Sequence, residues 1–191
     1  MTSRRGLRTL LVCATLIGVL APAAWAQTTA PPAVGDKARD FTLKRLDGVS
    51  VNLAQLTKAG PLVMIMLRGW VGYQCPICNR QVGDFLSRAK EFQAAGASVV
   101  LVYPGAADLV QGKAEDFVTG KTLPEKFHFL IDADLKTVDL YNLRWNAANE
   151  TAYPSTFVFD RQGVVRFAKI SKSHGDRSSA MDILALLKSM K

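Results

Sequence analysis

Hydrophobic positions along this chain fall into two rhythms. Leu62 to Leu67 (LVMIML) and Ala97 to Tyr103 (ASVVLVY) are continuous apolar runs, the pattern of strands buried on both faces of a parallel sheet. Between them Val82, Phe85, Leu86, Ala89 and Phe92 recur at helical spacing and predict one helix over 76–94, stopped by Gly96. Phe41-Thr42-Leu43 and Val49-Ser50-Val51 flank Leu46-Asp47-Gly48, a hairpin signature. Further along, the pattern predicts a more polar helix over 107–118, a strand from Phe127 to Ile131 and a short helix from Leu135 to Tyr141. Thr156 to Phe159 and Val164 to Phe167 form a second hairpin around Asp160-Arg161-Gln162-Gly163. Ser178 to Met190 reads as an amphipathic helix with Met181, Leu184, Leu187 and Met190 facing inward. The order β-β-β-α-β-α-β-α-β-β-α predicts an α/β fold. Its central mixed sheet is parallel in the middle and antiparallel at the late hairpin, is flanked by helices, and is preceded by an N-terminal β-hairpin extension.

The first 26 residues have a different character. Arg4, Arg5 and Arg8 precede an apolar stretch from Leu10 to Ala21, and Ala24-Trp25-Ala26 is an A-x-A cleavage site. This is the makeup of a secretory signal peptide, and Ser3-Arg4-Arg5 has a twin-arginine character. The apolar stretch is shorter than the ~20 residues a spanning helix needs. Cleavage is therefore expected, leaving no membrane attachment, removing Cys13, and placing the product in the periplasm or outside the cell. Residues 27–35 (QTTAPPAVG) are expected to be a flexible lead, and 36–191 a single domain. Without the signal, 21 basic residues face 16 acidic ones, a net charge of +5 that is scattered along the chain. No basic stripe alternates with aromatic residues, so nucleic-acid binding is not expected.

The candidate chemistry lies in Cys75-Pro76-Ile77-Cys78, which holds the two cysteines that remain after cleavage. Pro76 suits the first position of a helix, which makes Cys75 the N-cap. A thiolate there meets the unpaired N–H groups of the first turn and the positive end of the helix dipole, so its pKa falls. Arg68 or Arg80 is expected to add positive potential. Cys78, one turn on, shares the face of Cys75. This predicts Cys75 as an exposed nucleophile and Cys78 as the resolving thiol. A structural staple over so short a loop would constrain the unfolded chain little. Zinc needs about four ligands, and the only histidines, His128 and His174, form no ligand motif. Two thiolates suit Cu(I), with His174 as the candidate third ligand. No cofactor is expected. Solvent exposure is the default for His174, and neither histidine is assigned as a general base. Pro154, in Tyr153-Pro154-Ser155-Thr156, either starts a strand or follows a cis bond.

At this point the chain resembles the thioredoxin-like superfamily, in its redoxin and alkyl hydroperoxide reductase/thiol-specific antioxidant (peroxiredoxin-like) branch. The resemblance spans roughly residues 34–190. It is carried by Val34-Gly35-Asp36-Lys37-Ala38 with Phe41-Thr42-Leu43, and by Leu67-Arg68-Gly69-Trp70 leading into the cysteine pair. Tyr153 to Asp160 followed by Gly163 to Phe167 completes it. It implies a thioredoxin-like fold, a nucleophilic Cys75, and a cis Pro154 packed against the dithiol, with Tyr153 helping to hold an extended substrate. Three departures stand out. Peroxiredoxins carry Pro-x-x-x-Thr/Ser-x-x-Cys, whereas those positions here are Arg68, Gly72 and Cys75, so a hydroxyl that helps activate peroxide is missing. The family arginine before the late strand is replaced by Pro154-Ser155, with Arg144 or Arg68 as candidates to stand in. Val71-Gly72-Tyr73-Gln74 looks like an insertion before the dithiol.

Three functions follow. The first is a peroxidase reducing hydroperoxides at the expense of a thiol electron donor, with Cys75, Cys78, Pro154 and Arg68 as its catalytic residues. The second is a thioredoxin-like reductase or oxidase of protein disulfides. The third is a non-enzymatic copper-binding protein. Relatives often pair, so monomer and homodimer are both expected.

Overall fold

The computed structural model describes residues 29–190. The expected signal over 1–26, with Cys13, lies outside the described residues. Strands β1 (Thr42–Arg45) and β2 (Ser50–Asn52) form the first predicted hairpin, with Leu43 opposite Val51. Asn52 ends β2 and caps α1 (Leu53–Ala59), its side chain accepting from the Gln55 N–H at 3.0 Å. The hydrophobic pattern does not predict this helix. Its seven residues bury only Leu53 and Thr57, too little for a helical period to register.

Strand β3 (Leu62–Met66) leads through a loop into α2 (Pro76–Ser87) and α3 (Ala89–Ala94). The single helix expected over 76–94 is thus two helices. The Ser87 hydroxyl donates to the Asp84 carbonyl at 2.7 Å and the Arg88 N–H turns back to Phe85 at 3.2 Å, which ends the first helix. Phe85 and Phe92 still stack across the break, with centroids 5.3 Å apart, so the apolar spacing runs through it unchanged. Then follow β4 (Ser98–Gly105), α4 (Val110–Val118), β5 (Phe127–Ala133), α5 (Lys136–Leu140), β6 (Ser155–Phe159), β7 (Val165–Ile170) and α6 (Ala180–Ser189).

The sheet order is β2-β1-β5-β4-β3-β6-β7. Strands β3, β4 and β5 are parallel, and every other pairing is antiparallel. This is the expected mixed sheet. Val63, Ile65 and Leu67 join the core beneath α2, α3, α4 and α6, while Leu62, Met64 and Met66 join the core on the other face with Tyr141, Phe157 and Phe159. Each residue of β3 is buried on one face or the other, hence the unbroken apolar run. In α6, Ser179 caps the helix and Ala180, Ile183, Leu184 and Leu187 form the inward stripe. Met181 is 61% exposed, contrary to its expected inward position: Leu184 and Leu187 face inward as expected, but Ala180 and Ile183 complete the stripe in its place.

No cis peptide bond occurs among the described residues, so Pro154 follows a trans bond rather than the cis bond implied by the resemblance. The reason is local: the Tyr153 N–H donates to the Leu143 carbonyl at 2.8 Å and the Pro154 carbonyl accepts from the Ser171 N–H at 2.9 Å. The chain is already paired in extended form on both sides, and Pro154 opens β6. The described part of the lead is tied to the body. The Gly35 N–H donates to Val165 at 2.9 Å, and the Arg39 guanidinium donates to the Ala30 carbonyl at 2.6 Å.

Close backbone contact sets the exit of β3. Gly69 has φ 71°, and a Cβ there would lie 1.9 Å from the Pro104 carbonyl oxygen. Only glycine fits both constraints. Gly69→Ala should cost at least ~2 kcal/mol, from left-handed strain plus displacement of β4. Urea unfolding would register this as a lower midpoint at unchanged slope; an unchanged midpoint would refute the constraint.

Candidate active site

The loop after β3 delivers Cys75 to the start of α2. Cys75 is the N-cap, Pro76 is the first helical residue, and the Cys75 sulfur accepts from the Cys78 N–H at 3.4 Å. Both cysteines are free thiols. The expected N-cap geometry is present, but the expected exposure is not. Cys75 is 3% exposed and Cys78 1%, because α2 lays its first turn against the core beneath it.

The two thiols are driven apart in acidity. Cys75 is lowered to about 5, first by the hydrogen bond from the Cys78 thiol. Burial opposes that shift, and the N–H groups of Cys78 and Ile77 and the charge of Arg177 add to it. Cys78 is pushed far up, because it is the proton donor of the pair and is buried, while Arg177 acts in the opposite direction. One thiolate and one thiol therefore share one proton at neutral pH.

Arg177 is the cation whose charge acts on both sulfurs. Its Nη2 lies 3.7 Å from the Cys78 sulfur, its Nη1 reaches Gln81 Oε1 at 3.3 Å, and its Nε donates to the His174 carbonyl at 2.8 Å. Sequence reasoning missed it. Its only signal was the polar loop before α6, 99 residues beyond Cys78. Arg80 is exposed on α2.

Arg68 lies beneath the site in an ion pair. Its Nε reaches Glu150 Oε2 at 2.5 Å, its Nη2 reaches Glu150 Oε1 at 2.7 Å and the Asn149 carbonyl at 2.8 Å, and its Nη1 reaches the Tyr73 hydroxyl at 2.6 Å. Burial works against the charge on Arg68, but Glu150 and Tyr73 more than offset it and hold the guanidinium protonated. The Glu150 carboxyl is lowered: burial opposes this, and Arg68 and His174 overcome it. The Arg68 backbone N–H has only a minor, lowering influence on the Cys78 pKa. Arg144 pairs with Asp139 through Nη2 at 2.7 Å.

His174 is less exposed than its loop suggested. Its Nε2 lies 2.8 Å from Glu150 Oε1, and its ring packs 5.1 Å from Trp145, which stacks on Tyr153 at 4.7 Å. His128 lies near the start of β5, at the opposite end of the sheet from the dithiol, and burial lowers its pKa. Among the described residues no group of three or more His, Cys, Asp or Glu is placed to hold a metal ion.

A second polar chain flanks the thiols. The Tyr103 hydroxyl donates to Gln74 Oε1 at 2.9 Å, and Gln74 Nε2 donates to the Lys113 carbonyl at 2.8 Å. Lys113 covers the Trp70 ring at 4.5 Å. Burial foremost raises the Tyr103 hydroxyl's pKa, so it stays a proton donor. At Gly72, the position of the missing hydroxyl, φ is 101°, a backbone that threonine does not adopt. The departure there is one of chain path as well as side chain.

The chain is similar to known proteins in family and fold. The AhpC/TSA family matches residues 34–168. No curated protein sequence matches the chain. Among solved structures it is similar to peroxidoxin BcpB from Mycobacterium tuberculosis, at 23% identity and TM-score 0.67, covering 84% of this chain and 99% of that one. The mitochondrial 2-Cys peroxiredoxin of Plasmodium falciparum matches at 17% identity and TM-score 0.64, over 83% of this chain and 94% of that one. The yeast mitochondrial 1-Cys peroxiredoxin matches at 14% identity and TM-score 0.68, over 83% and 76%. These structures share its fold.

Two measurements check the electrostatics. Alkylation of Cys75 should rise with pH through about 5 and level off above it, because the thiolate reacts and is lost as pH falls through the lowered pKa. Cys78→Ala should move that midpoint up further than Arg177→Gln does, since the thiol hydrogen bond is the larger cause; the reverse order would contradict the assignment. Glu150→Gln leaves Arg68 charged and buried, and should cost ~3 kcal/mol in denaturant unfolding. A loss below ~1 kcal/mol would mean that Arg68 finds other solvation.

Proposed function

The chain belongs to the AhpC/TSA family and is a thiol-dependent oxidoreductase, and from that premise we propose that it is an exported peroxidase in which Cys75 attacks hydroperoxides and Cys78 resolves the product. One observation carries the reading: two free cysteines sit together at the head of one helix, Cys75 at its N-cap with its sulfur accepting from the Cys78 N–H. The Cys75 sulfur attacks the terminal peroxide oxygen, the O–O bond breaks, and the alkoxide takes a proton to leave as alcohol or water. Cys75 becomes a sulfenic acid. The Cys78 sulfur then attacks it, a disulfide forms, and the sulfenic oxygen leaves as water with the Cys78 proton. An external thiol donor returns both cysteines to the reduced state. Arg177 stabilises the sulfur anions, Arg68 and Glu150 hold the floor of the site, and Pro154 starts the strand beside it.

Burial favours this reading over exchange with protein disulfides. At 3% exposure, Cys75 suits a small hydroperoxide better than the disulfide of a folded client. As for copper, the candidate third ligand His174 is engaged by Glu150. Export rests on residues 1–26, and the periplasm or exterior is the proposed location.

The test is stopped-flow oxidation of the reduced protein by hydrogen peroxide and an organic hydroperoxide. Thiol loss should saturate, and Cys75→Ser should lower the rate at least ~100-fold. Cys78→Ser should still consume one equivalent of peroxide but stop at a sulfenic acid that dimedone traps. Slow oxidation by peroxide together with fast reduction of insulin would replace this reading with thiol exchange.

A further inference from the structure

A cleft of about 350 Å³ opens beside the dithiol, between the first turns of α2 and the loop leading into α6. Ile77, from within the cysteine motif, lines it, together with Arg80, Gln81, Asp84, Arg177 and Ser178. Its charges are unbalanced. Among the described residues Arg80 has no hydrogen bond or ion pair, and no carboxylate pairs with Arg177. Asp84, the one acid lining it, is already used: it accepts from the Ala180 N–H at 2.7 Å and lies 3.9 Å from Arg88. Ser178 is 7% exposed, and its buried Oγ has no partner among the described residues. A buried hydroxyl left unpaired is unfavourable unless something else bonds it. Two guanidinium groups without a carboxylate partner at hydrogen-bond distance, beside a hydroxyl that lacks one, form a site for a planar anion.

Resting on the peroxidase reading, we propose that this cleft binds the carboxylate of the small-molecule thiol that reduces the oxidised enzyme and directs its sulfur to Cys78. Arg177 joins the two, since it lines the cleft and touches the Cys78 sulfur. The bound thiolate attacks the Cys78 sulfur of the Cys75–Cys78 disulfide. The new bond is a mixed disulfide at Cys78, the old S–S bond breaks, and its electron pair leaves on Cys75. Cys75 is the more acidic thiol and so the better leaving group. A second molecule of the thiol attacks the mixed disulfide, releases Cys78, which takes up a proton, and departs as the oxidised dimer. Two thiols lose two electrons and two protons, and the protein disulfide gains them.

The experiment starts from the full chain oxidised with diamide, so the disulfide is made without peroxide. Its reduction is followed with 3-mercaptopropionate and with the uncharged 3-mercaptopropionamide, at low salt, as rates per thiolate. The carboxylate thiol should be about tenfold faster. Arg80→Gln should reduce that ratio to below about threefold, and Arg80→Lys should retain most of it. Succinate should slow reduction by the carboxylate thiol and not by the amide. A ratio near one in the unaltered protein overturns the proposal, as does a ratio that Arg80→Gln leaves unchanged. Peroxide that fails to oxidise the reduced protein would defeat the peroxidase reading instead, and this ratio would still be measured.

Discussion

One sulfur anion, solvated by a helix rather than by water, organises this protein. Cys75 is buried, and a buried anion is unfavourable without compensation. Compensation comes from the Cys78 thiol, from the first-turn N–H groups of α2, and from Arg177. Each has its own structural requirement. The N–H groups need Pro76 to start the helix at once. The thiol needs one helical turn between the cysteines. Arg177 needs the loop before α6 to fold back across α2.

A second cation, Arg68, lies below the site, yet its guanidinium is pinned by Glu150, Tyr73 and the Asn149 carbonyl. Glu150 also engages His174, and the His174 carbonyl accepts from Arg177. The β3 exit, the segment before β6 and the loop before α6 are thereby joined in one polar network. Arg68 serves that network through its side chain, while the cation at the Cys78 sulfur is Arg177. Such a buried network contributes through geometry more than through net stability.

Burial of the sulfurs also bears on the kind of substrate. The dithiol lies at the carboxyl end of β3, where open α/β sheets gather their reactive groups, but it lies under a surface rather than on one. The polar pair Tyr103–Gln74 flanks it on one side and the Arg177 loop on the other.

The chain's local patterns were enough to determine the strands, most of the helices, the mixed sheet and the cysteine pair at a helix N-cap. All of these are written in spacings shorter than about twenty residues. A buried strand needs an unbroken apolar run, and a thiolate cap needs only a proline after it and a thiol one turn later. Tertiary structure decided what local spacing cannot carry. It broke the helix at Arg88 while Phe85 and Phe92 kept one apolar line, and it started α6 so that Met181 faces outward. It set Pro154 in a trans strand entry because Leu143 and Ser171 pair on either side. It also chose the cation: Arg80 is close to the dithiol in sequence, yet Arg177, 99 residues from Cys78, is the one that reaches its sulfur. Electrostatic partners are selected by distance in space, and only the folded sheet brings these residues together.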